Sequence, residues 1–97
     1  MAAYIIVDIH IHDTETYEAY KKLTPASLAL YDGEFAVRGG NVATLEGDWQ
    51  HGRIVVLKFP DAEKAKAWWA SPEYEPAKKI RWSAASTNMI LVEGHNM

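Results

Sequence analysis

Strict alternation opens the chain. Ile5, Val7, Ile9 and Ile11 fall on one side of an extended segment, and Tyr4, Ile6, Asp8, His10 and His12 on the other. The first face suits a core. The second carries too many titratable groups to be packed away, so it is a candidate for chemistry. Beyond Asp13 or Thr14, either of which offers an N-cap oxygen, Tyr17, Tyr20, Leu23, Ser27 and Tyr31 recur at helical spacing. Pro25 removes one backbone donor inside that helix, and Thr24 is placed to cap a second segment should the helix break there. Asp32-Gly33 closes it through a left-handed residue.

Residues 35–45 read as one long strand, or as a hairpin interrupted at Gly39-Gly40, where missing side chains permit a bulge, a turn or the close approach of another group. Residues 53–59 form the next strand. Asp61 caps a helix carrying Ala65, Trp68 and Trp69, and Ser71-Pro72 starts another, with Pro at its first turn, that is weakened by Pro76 and runs through Ile80 and Trp82. Residues 88–93 make the last strand before Gly94. The order is β-α-β-β-α-β. With right-handed crossovers it describes an α+β, ferredoxin-like, four-stranded antiparallel sheet with the helices on one face.

Composition narrows the partners. The chain spans 97 residues, read as a single domain over 1–97, and carries four Trp, five Tyr and two Phe at a net charge of −3. A chain this short buries only about 60 to 65% of its unfolded surface alone, and a sheet with helices on one side leaves Tyr4 and Ile6 bare on the other. Two such faces packed together as a homodimer remove that exposure. No block of Lys or Arg offers a footprint for nucleic acid or an anionic membrane, and no apolar run approaches the roughly 20 residues of a membrane span. The absence of cysteine excludes disulfides and thiolate metal sites. With no basic leader at Met1-Ala2-Ala3, a soluble cytoplasmic protein is expected.

Arg38 stands immediately before Gly39 and Gly40, so its planar fork is placed to clamp a carboxylate or phosphate where a ligand approaches the backbone; as a structural residue it would instead pair with Glu46. Asp8 and His10 point the same way from one strand, an arrangement suited to general base chemistry. His10-Ile11-His12 places two imidazoles about 6 to 7 Å apart, a metal-ligand spacing that lacks a third ligand beyond Asp8 or Glu93. No metal or cofactor is therefore expected. Trp49 joins the candidate binding residues, while Trp68 and Trp69, some 100° apart on one helix, cannot both be buried.

The run from the first strand to Asp13, then Phe35-Ala36-Val37-Arg38-Gly39-Gly40, Glu46-Gly47-Asp48-Trp49, Arg53, Phe59-Pro60, Ser71-Pro72-Glu73-Tyr74, Arg81 and Glu93-Gly94 together resemble the small bacterial proteins catalogued as domain of unknown function 1330, within the dimeric α+β barrel group. The resemblance covers nearly the whole chain and implies the fold and a homodimer, without an activity or cofactor to carry over. The expected function is binding of a small anionic or polar metabolite in a sheet-helix cavity, with Arg38, Gly39, Gly40, Glu46 and Trp49 at the ligand. Cofactor-independent proton transfer by His10 and Asp8 is the chemistry those residues would support. The alternative is a non-enzymatic structural or protein-interaction dimer.

Overall fold

The computed structural model describes residues 1–95; the last two residues of the expected 1–97 domain lie outside the described residues. β1 (Ala3–Ile11) lies inside the sheet, antiparallel to β3 (Arg53–Phe59) on one side and to β4 (Ala85–Glu93) on the other, and β2 (Glu34–Arg38) extends the sheet beyond β3. The order β2-β3-β1-β4 is the ferredoxin-like arrangement expected from the sequence. Three helices cover one face: α1 (Thr14–Leu30), α2 (Ala62–Trp69) and α3 (Glu75–Ala84). α3 starts at Glu75 and not at Ser71-Pro72, because the Ser71 hydroxyl and carbonyl hold a separate turn, accepting from the Tyr74 and Glu75 amides, before Pro76.

Register decides which residues share a side. Ile5, Val7 and Ile9 face Leu57, Val55 and Arg53 directly, so the odd residues of β1 and the alternate residues of β3 meet the helices. There they pack with Tyr17, Tyr20, Leu28, Trp68 and Tyr74 into one core. Trp68 is its centre, fully buried, with its ring 3.9 Å from Tyr74 and 5.7 Å from Phe59, and its Nε1 donating to Ser27 Oγ at 3.0 Å. Trp69, one residue on, is 43% exposed. Among the described residues no helix covers the opposite face of the sheet, which leaves Val37, Ile90 and Val92 exposed beside the half-buried Tyr4 and Ile6.

Several local expectations are corrected. α1 runs unbroken through Pro25, and Thr24 caps nothing: its hydroxyl donates to the Tyr20 carbonyl one turn back at 2.8 Å. Leu23 is exposed because the inward stripe drifts to Thr24, Ser27 and Leu28, as 3.6-residue spacing requires over this length. Within Asp32-Gly33 the left-handed residue closing α1 is Asp32, at φ 58°. Gly33 is needed for space, since a Cβ there would press into the Phe59 ring and the Leu28 side chain. β2 ends at Arg38 after a bulge between Phe35 and Val37, and residues 40–52 form a loop, not the continued strand or hairpin. β4 starts at Ala85, earlier than expected.

Candidate functional site

Pro25 prepares the first half of the site. Having no N–H, it leaves the Lys21 carbonyl without its helical donor. Arg38, arriving at the end of β2, fills that vacancy: its Nη2 donates to Lys21 O at 3.1 Å while its guanidinium lies 4.3 Å from the Phe35 ring centre. Arg53, the first residue of β3 and paired with Ile9, points to the same side. Its guanidinium sits 5.9 Å from the Tyr17 ring, and its Nε is buried with no hydrogen-bond partner. Gly39 holds the two together. At φ 69° its amide donates to Ile54 O at 2.9 Å, and a Cβ at this position would collide with the Arg53 guanidinium. Gly40 has no comparable constraint, since a Cβ there would meet only Val37 at 3.9 Å.

Between α1 and the sheet this leaves a cleft of about 20 Å³, lined by Tyr17, Tyr20, Thr24, Phe35, Arg38 and Arg53 among others and by no acidic residue. That is room for about one water, or for the head of a small group reaching in from the rim. Burial raises the pKa of the Tyr17 phenol, its neighbour Tyr20 adding to the effect and Arg53 opposing it. Burial first and Tyr74 second carry Tyr20 far above the ordinary phenol value. Both therefore stay protonated and available as donors at neutral pH. Tyr20 shares a 2.8 Å hydrogen bond with Tyr74, whose hydroxyl accepts from Arg81 Nε at 3.3 Å.

Charge is distributed unevenly. Lys21, Lys64, Lys78 and Lys79 each have a carboxylate within salt-bridge distance. Among the described residues no such pair involves Arg38, Arg53 or Arg81. The expected Arg38–Glu46 pair is absent from the described ion pairs, and Glu46 is exposed in the 40–52 loop.

Asp8 and His10 lie elsewhere. As even residues of β1 they project from the helix-free face, so the sheet separates them from Arg38 and the expected proton-transfer set is not assembled. Asp8, 8% exposed, accepts from the Gly52 amide at 2.7 Å and from Trp49 Nε1 at 2.9 Å, with His10 Nε2 at 3.5 Å. The Gly52 amide lowers its pKa most; the Trp49 hydrogen bond and the charges of His10 and His51 add to this against the opposing effect of burial. Trp49 thus belongs with Asp8, latching the loop onto the open face. Gly52 allows the latch because any Cβ would strike the Ile9 carbonyl. No group of three or more His, Asp or Glu able to hold a metal occurs among the described residues.

Sequence reasoning passed over Arg53 as a ligand residue. Its signal was a guanidinium in register with Val55, Leu57 and Phe59, the inward positions of β3.

Residues 2–95 match the family model described as "Domain of unknown function (DUF1330)", and the chain belongs to that family. No curated protein matches the sequence. Among solved structures, a protein of unknown function from Rhodopseudomonas palustris superposes with a TM-score of 0.78 at 16% identity, covering 99% of this chain and 84% of that one. A protein from Jannaschia sp. CCS1 described as dimeric and ferredoxin-like gives 0.68 at 11% identity, over 99% of this chain and 100% of its own. SnoaB, a cofactor-independent oxygenase from Streptomyces nogalater, gives 0.66 at 15% identity, over 99% and 95%. At these identities the likeness is one of fold. No helix among the described residues is long and apolar enough to cross a membrane.

Proposed function

We infer that the protein binds a small anionic metabolite at the cleft between α1 and the sheet, its carboxylate or similar group held by Arg38 and Arg53. One observation carries the reading: two guanidiniums converge on an acid-free cleft, one of them with a buried Nε that has no acceptor. A charged donor left this way costs stability unless an anion completes it. Arg53 is pre-set by Gly39 and Tyr17. Arg38, exposed and holding one backbone carbonyl, is free to turn onto a ligand, and the Tyr17 and Tyr20 hydroxyls supply neutral donors beside it. The function is binding; His10 and Asp8 take no part in it, being on the far face.

The apolar open face supports a homodimer through opposed sheets, and the Jannaschia protein is described as dimeric. Ile90→Glu is expected to convert the dimer to monomer in sedimentation velocity, and a wild-type chain that sediments as a monomer would remove this part.

The ligand reading is tested by following the arginine Nε–H resonances while acetate, succinate and phosphate are titrated, with acetamide as the uncharged control. Saturable shifts at Arg38 and Arg53 for an anion, absent for acetamide and lost in Arg38→Ala, are expected. A folded Arg38→Ala protein that binds every one of these anions as tightly as wild type would sink the anchor role.

A further inference from the structure

A second, larger opening lies between α2, α3 and the edge strand β4. It is an open groove of about 640 Å³, within the range of small-molecule sites, and its walls include Trp69, Trp82, Met89 and Leu91 with no acidic residue among the described lining. Two polar side chains in its lining have room for a further partner. Arg81 is 3% exposed, and its one described side-chain hydrogen bond is the 3.3 Å contact from Nε to Tyr74, so its Nη groups carry no described acceptor. Thr87 Oγ1 is buried with no partner at all. Lys78 shows the contrast. Equally buried, it donates to Trp69 O at 2.9 Å, pairs with Glu75 at 3.4 Å, and lies 3.9 Å from the Trp69 ring and 5.5 Å from that of Trp82. Its charge is answered, and it braces the two indoles that wall the groove.

We propose that this groove is a binding site for a flat aromatic carboxylate, its ring between Trp69 and Trp82 over Met89 and Leu91, and its carboxylate on Arg81 and Thr87. Charge complementarity selects this occupant: a wholly apolar molecule leaves the guanidinium and the hydroxyl unsatisfied, and a small inorganic anion leaves two half-exposed tryptophans bare. The site is distinct from the α1 cleft and does not depend on it. The two are joined only through the Tyr20–Tyr74–Arg81 hydrogen bonds, with Tyr20 in one wall and Arg81 in the other.

The experiment titrates 2-naphthoate, with uncharged 2-naphthamide as its twin, into the full chain while the indole N–H resonances of Trp69 and Trp82 are followed. Naphthoate is expected to shift both with saturation, and naphthamide to bind about tenfold more weakly or not at all. Trp82→Ala and Thr87→Val, at an exposed and a half-buried position, are each expected to weaken naphthoate several-fold, and Arg38→Ala to leave it unchanged. Arg81→Gln gives the largest loss where it folds; the other two variants keep the test decisive where it does not. Equal affinity for acid and amide would overturn the proposal. So would binding lost in Arg38→Ala but kept in Trp82→Ala, which places the ligand in the first cleft, or a Trp82→Ala protein that dissociates to monomers, which makes the groove a contact between copies.

Discussion

The two faces of this sheet treat charge in opposite ways. On the open face the buried carboxylate of Asp8 is fully answered: it takes the Gly52 amide and the Trp49 indole N–H, and the result is a loop held in place. On the helix face Arg53 is drawn among aromatic rings with its Nε unanswered, Arg81 holds only the Tyr74 hydroxyl among the described side-chain hydrogen bonds, and Arg38 caps a carbonyl at the rim. A polar group satisfied by its own chain is a structural part. One that the chain leaves unsatisfied, at the edge of a space, is a socket. Both look alike in sequence, as a charged residue in an alternating strand, and only the partners tell them apart.

The comparison is broken most directly through the core on the helix face. Trp68→Ala removes a fully buried ring touching Phe59 and Tyr74, and a loss of about 3 to 5 kcal/mol in urea denaturation is expected, enough to unfold the chain or leave it marginal. Next in size is Asp8→Ala, which orphans the Gly52 amide and the Trp49 indole. About 1 to 2 kcal/mol of stability should go, with faster hydrogen exchange at Gly52 and unchanged anion shifts at Arg38. Gly39→Ala combines a left-handed backbone with a collision at Arg53 and is expected to cost about 1 to 2 kcal/mol, while also weakening anion binding. Arg53→Met should cost nothing or add slightly to stability, because it removes a half-buried charge that lacks a counterion, yet it should abolish anion binding. A stability loss as large as that of Asp8→Ala would show Arg53 to be structural and erase the contrast.

Acid provides the gentlest probe. The Asp8 pKa is lower folded than unfolded, so its contribution is present above the ordinary aspartate value of 3.8 and is lost as pH falls through the depressed folded value. Trp49 emission should therefore change in that acid window while Trp68 stays buried. Asp8→Asn should flatten the profile.

Much of the architecture was legible because it rests on local rules. Alternation identified β1, Asp61 did cap α2 through the Lys64 amide, and the 100° step between Trp68 and Trp69 separated a core residue from a surface one. What stayed hidden needed contact across the fold. The two glycines at Gly39-Gly40 permit a break, but nothing in the local pattern shows that the loop beyond them turns back to offer Trp49 to Asp8, which is why the sequence alone groups Trp49 and Glu46 with Arg38. The face of Asp8 was readable from parity alone. The face of Arg38 was not, because the bulge between Phe35 and Val37 shifts the count on β2.

The proline in α1 has a consequence for any occupant of the α1 cleft. A ligand that draws Arg38 away takes the donor from the Lys21 carbonyl, which must then turn to water. Occupancy is thus written into the helix itself as one carbonyl changing company. A single carbon-13 label at Lys21 would let infrared spectroscopy hear that exchange as a shift in pitch, with no probe attached to the ligand.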